Sequence, residues 1–149
     1  MHAGCEATSC YESVFDAFTA EMQAIAGVAQ TPWMTVPGNH EADCHDPVCV
    51  LNRPTRDALA NFTAYNARFK MPSAASGGNS NMWYSFDAGP VHFVSLDVET
   101  AYPGAAEEFR YVWPTGGFAG NMTAWLARDL AAVDRRATPW VLVAGHHPM

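Results

Sequence analysis

Two short apolar runs, each broken off by a turn full of hydrogen-bonding side chains, constrain this chain more than any other feature. Trp33-Met34-Thr35-Val36 leads through Pro37 into Gly38-Asn39-His40-Glu41, and Trp140-Val141-Leu142-Val143-Ala144 leads into Gly145-His146-His147-Pro148. Aromatic and β-branched residues bounded by Gly and Pro read as strands. In open α/β sheets the ligand crevice lies beyond the carboxyl ends of the strands, where both turns would emerge. Asn offers a neutral oxygen and His a neutral imidazole nitrogen to a divalent ion. A Gly-Asn pair after a strand also makes an ordinary turn, because Asn tolerates unusual backbone angles. A second strand ending in His-His tips the reading of Asn39, His40 and His146 toward a metal site.

The remaining elements follow from periodicity. Residues 11–26 carry Val14, Phe15, Phe18, Met22 and Ile25 at helical spacing, with Gly27 where a C-cap glycine belongs. That stripe reads as core. A second helix is expected over residues 56–69, with Leu59, Phe62 and Phe69 on one side, after a loop over residues 43–54. Residues 72–81 are a Ser/Gly/Asn/Ala stretch without periodicity and read as a mobile loop. Residues 82–87 and 91–98 flank Ala88-Gly89-Pro90 and read as a β-hairpin. In its second strand His92 reads as a packed or edge histidine. Asp97 and Glu99 stand at the end of that strand, where a turn explains them, and are left outside the site. Residues 102–120 form a long loop. Asn121 then caps a helix with Met122, Trp125, Leu126, Leu130 and Val133 on one face, and residues 140–144 are a strand. The order predicts an α/β (α+β) sandwich of one domain, without internal repeats.

Composition narrows the functions. Charged residues make up 15% of the 149, hydrophobic ones 49%, and the formal net charge is −7. With no Lys/Arg cluster to relieve that charge, nucleic acid and anionic membranes are disfavoured as partners. No apolar stretch approaches the ~20 residues of a membrane span. No Gly-rich phosphate loop, Ser-nucleophile motif or dinucleotide fingerprint is present. Asn61-Phe62-Thr63 and Asn121-Met122-Thr123 are glycosylation sequons, compatible with secretion. Cys5, Cys10, Cys44 and Cys49 fall in two equally spaced pairs. Reduced thiols, a zinc site and disulfides all remain open on spacing alone.

Several segments together resemble a purple acid phosphatase of the calcineurin-like metallophosphoesterase superfamily. Residues 35–44 resemble the GNH[ED] block, residues 81–87 and 91–97 the following strand pair, and residues 125–146 the helix and strand carrying the VxxH block. No DxG or GDxxY block stands upstream of Gly38 and no GHxH block anywhere, so residues 1–149 look like the central part of a catalytic domain, with an incomplete metallophosphoesterase sandwich flanked by helices.

The resemblance implies metal-dependent hydrolysis of small phosphate esters at a dinuclear centre, iron with zinc, manganese or iron. Carried over by position, Asn39 and His146 would ligate the second metal. His40 would bond the phosphate or protonate the leaving group, and Glu41 would orient or charge-stabilise His40, with a plain surface carboxylate as the alternative reading of Glu41. His147 stands where relatives often have Arg and reads as an exposed histidine. Two ligands do not organise two metals, so activity of this segment alone is doubtful. The resemblance also implies an oxidising, secreted or vacuolar compartment, hence disulfides, with Cys44 bridged to Cys49 as the local expectation. Two alternatives stay open: an enzyme acting on phosphodiesters or nucleotides, and a catalytically incompetent truncated or binding module.

Overall fold

A computed structural model describes residues 8–42, 51–60, 62–99 and 122–147. The α/β class expected from sequence is observed. Among the described residues, helix α1 (Thr8–Gln23) is followed by a 3-10 turn, Val28–Gln30, and then by the short helices α2 (Asn39–Ala42), α3 (Arg53–Leu59), α4 (Thr63–Arg68) and α5 (Ser73–Ser76). Strands β1 (Tyr84–Ala88) and β2 (Val91–Ser95), helix α6 (Met122–Ala132) and strand β3 (Trp140–Ala144) complete the order.

The sheet is built around β2. It pairs antiparallel with β1, from Tyr84 opposite Ser95 to Ala88 opposite Val91, and parallel with β3, from Val91 opposite Trp140 to Ser95 opposite Ala144. The hairpin turn uses Gly89 at φ 55, a left-handed conformation that glycine adopts without steric cost. Parallel pairing of β2 with β3 requires a crossover, and α6 supplies its helix. The core gathers Phe62, Tyr65, Met82, Trp83, Val94, Leu96 and Trp125, all buried. A family-type sandwich would need a second sheet; the described residues contain one sheet of three strands.

Four expectations change. Residues 33–36 are not a strand. A strand is a property of a pair, and no strand lies beside this run among the described residues. Side chains take over: the Tyr84 and Tyr65 hydroxyls donate to the Thr35 carbonyl at 2.8 and 3.3 Å. The helix expected over residues 56–69 is divided. Phe62 sits at φ 54 with its ring fully buried, and its N–H donates to the Glu41 carbonyl at 2.8 Å. Left-handed backbone at a bulky residue costs on the order of 1–3 kcal/mol, which burying the aromatic side chain offsets.

The stretch over residues 72–81 is pinned. It contains α5 and a bridge between Asn79 and Trp83. Trp125 Nε1–H donates to the Ser76 carbonyl, and the Asn81 amide spans Asn66 and Phe69. These bonds come from the Trp125 and Asn81 side chains and from backbone groups, which leave no period in the sequence. Helix α1 ends at Gln23, and Gly27 (φ 86) opens the 3-10 turn instead of capping the helix. Its stripe is only partly covered: Val14, Phe18 and Ile25 stay about half exposed, while Phe15 packs edge-on against Phe69. The four cysteine side chains, both sequon asparagines and the loop over residues 102–120 lie outside the described residues.

Candidate metal centre

The site forms where the two turns meet. The Gly38 carbonyl accepts from the N–H groups of Glu41 and Ala42, at 3.1 and 3.2 Å, which starts α2 directly after the buried Pro37. The Glu41 carboxylate turns back and accepts from the Gly38 N–H at 3.0 Å. This is half of a capping box, and it fixes the turn that presents Asn39 and His40. Sequence reasoning gave Glu41 the task of orienting His40; its bond in the structure is to the backbone of the turn.

From the other side, the Leu96 N–H donates to the Ala144 carbonyl at 2.9 Å, extending the parallel pairing past the ends of β2 and β3. Residues 96–99 and 145–147 therefore leave the sheet side by side. His146 Nε2 comes to 3.0 Å from Asn39 Oδ1, although 107 positions separate them. His40 is exposed on α2. A side chain at Gly38 has no room: a Cβ there would stand 2.7 Å from Glu41 Oε2 and 3.1 Å from His146 Nδ1.

Sequence reasoning passed over two neighbours. Glu99, with 2% of its surface exposed, places Oε1 3.0 Å from Nε2 of His147. Glu99, His146 and His147 form a group whose potential ligand atoms lie within 4.8 Å of one another. The signal was available, because parallel strands end at the same sheet edge and Glu99 lies just beyond β2. Burial pushes the Glu99 carboxyl above its ordinary range; His147 and His146 pull it back, and Glu41 adds to the push. Beneath the site Asp97 is fully buried, and its Oδ1 accepts from the Glu99 N–H at 2.9 Å. Tyr65, bonded to Thr35 and Asn81, is pushed by burial up to about 12 and stays a neutral phenol.

The Asn39–His146 pair passes an elementary test for a metal edge. Two ligands each about 2.1 Å from an ion at right angles stand about 3 Å apart. The observed separation is that of neighbouring ligands, and both atoms are types that bind borderline divalent ions.

The calcineurin-like phosphoesterase family model matches residues 4–149. The chain belongs to the calcineurin-like phosphoesterase family. Among its relatives, an acid phosphatase of Aspergillus ficuum is 33% identical over 98% of this chain and 31% of its own length. Acid phosphatase A of Cryphonectria parasitica is 36% identical over 96% of this chain and 33% of its own length. Purple acid phosphatase 21 of Arabidopsis thaliana is 34% identical over 93% of this chain and 26% of its own length. This calcineurin-like phosphoesterase chain thus spans between a quarter and a third of the length of these relatives. No helix among its described residues is long and apolar enough to cross a membrane.

Proposed function

We infer that the protein hydrolyses small phosphomonoesters at a dinuclear metal centre, iron with zinc, manganese or iron, and that Asn39 and His146 ligate one of the ions. The 3.0 Å approach of Asn39 Oδ1 to His146 Nε2 carries this reading, together with relatives named acid phosphatases. Such a centre supplies charge neutralisation for the ester and an acidified water. On this reading residues 1–149 supply the part of a catalytic domain that carries two of its ligand blocks. The reading also belongs with a secreted or vacuolar compartment.

The chain's own residues position and protonate. His40, exposed on the first turn of α2, would hold a proton for the leaving alkoxide as a general acid. Glu41 supports it indirectly by locking the Gly38 turn. Gly38 lets that turn approach the His146 ring closely enough for both ligands to share one ion.

The test separates a ligand from an acid. His146→Ala should lose or loosen metal by more than about tenfold, because even outer partners of a ligand are worth 10–100-fold. His40→Ala should keep its metal and lose about 10²–10⁴-fold in rate, less for an aryl than for an alkyl phosphate. If His40→Ala sheds metal as His146→Ala does, or cleaves both esters normally, the role given to His40 is wrong. Faster turnover of bis(p-nitrophenyl) phosphate than of p-nitrophenyl phosphate would move the substrate class to diesters. A metal-loaded protein that cleaves neither is a binding module.

A further inference from the structure

We propose that Glu99 and His147 join His146 to hold one divalent ion of the zinc or iron(II) class, a two-histidine, one-carboxylate site assembled within residues 99–147. This deepens the reading of His146 as a metal ligand and rests on it. Glu99 lies outside both turns of that reading, and His147 was given no ligand role in it.

Three observations converge. The donor set is chemically apt, since two imidazoles and a carboxylate bind zinc or iron(II) and leave coordination positions open for water or substrate. The geometry is close: all donor atoms lie within 4.8 Å of one another, and Glu99 Oε1 and His147 Nε2 are already 3.0 Å apart, the spacing of neighbouring ligands. His147 retains 38% of its side-chain surface, so its ring can turn through the last fraction of an ångström without disturbing the core.

The third observation is electrostatic. Glu99 keeps 1% of its side-chain surface, and an anion so buried is costly unless opposite charge sits beside it. The neighbouring Glu41 carboxylate adds negative charge to the same region. A dication beside Glu99 would compensate that charge and take the carboxylate as a ligand.

Cobalt(II) is the probe, because its visible d–d absorption reports coordination number and replaces the silent zinc spectrum. The metal-free 149-residue chain should bind one cobalt ion, displaced by zinc. Glu99→Gln and His147→Ala should each weaken cobalt binding by more than about tenfold, the lower bound set by losses of outer partners. Far-UV circular dichroism confirms that each variant folds. His147→Ala removes a partly exposed ring, so it decides the matter if Glu99→Gln unfolds. A parent chain that binds no cobalt, or a folded His147→Ala chain that binds it as tightly as the parent, overturns the proposal. If Asn39→Ala and His146→Ala lose cobalt while Glu99→Gln and His147→Ala keep it, the two-ligand reading survives and this one falls.

Discussion

At Gly38 one missing methyl group holds the site together. Its backbone is not in the left-handed region, so the requirement is contact rather than conformation. A Cβ would push on Glu41 Oε2 at 2.7 Å and on the His146 ring at 3.1 Å. Glu41 is the flexible neighbour and would yield first, but yielding breaks its bond to the Gly38 N–H. Gly38→Ala should therefore destabilise the fold by about 1–3 kcal/mol, the usual cost of overpacking, and loosen metal bound through Asn39 and His146. Denaturant unfolding and metal titration on the same variant measure both effects. Unchanged affinity would show that the turn does not position the ligands. The meeting of Asn39 with His146 was legible because two donor-rich turns stand out in sequence, although only the second follows a strand. For Glu99 the place just beyond β2 could be read, but nothing local separates a buried carboxylate from a solvated one. Only the parallel register of β2 and β3 brings it to His147.

Elements are joined at the opposite side of the sheet by a histidine held between two carboxylates. His92 Nδ1 lies 2.6 Å from Asp87 Oδ1 on β1, and its Nε2 lies 2.9 Å from Asp129 Oδ2 on α6. The Ser85 hydroxyl donates to the other oxygen of Asp129. Ser85, Asp87, His92 and Asp129 border a cleft of about 650 Å³ that Arg128 also lines. Burial opposes the charged ring, but Asp129 and Asp87 outweigh it and hold His92 above its ordinary value. A raised folded value means the contribution is complete below the unfolded value of about 6.5 and fades as pH rises through the folded one. His92→Gln should cost more stability at pH 5 than at pH 8.5, read from denaturant midpoints. Equal losses at the two pH values would mean that only packing is involved. The elements in this region were legible: the hairpin and β3 fall where alternation and turn residues put them. Residues 33–36 failed as a strand because pairing is decided by neighbours, which a single run of residues does not encode.

Across the whole molecule, apolar surface is distributed unevenly, and β3 shows why that matters. It lies at the edge of the three-stranded order, with β2 on one side and no strand on the other among the described residues. Trp140, Leu142 and Val143 remain 65%, 52% and 43% exposed, although Val141 packs against the core. An apolar strand with an open edge is a template for pairing with another chain, and this one carries no charge or proline within the strand to block it. The chain spans about a third of the length of its fungal relatives, and they conserve enough of its sequence to align over nearly all of it. We expect the 149-residue chain to self-associate through β3 at micromolar concentration, where exposed edges begin to matter. Leu142→Lys places a charge on the exposed position opposite Phe93 and should shift the population toward monomer with little change in thermal stability. Sedimentation velocity over a concentration series reads both species. A monomeric parent chain across that series, or equal association of parent and variant, would show that this edge is already covered.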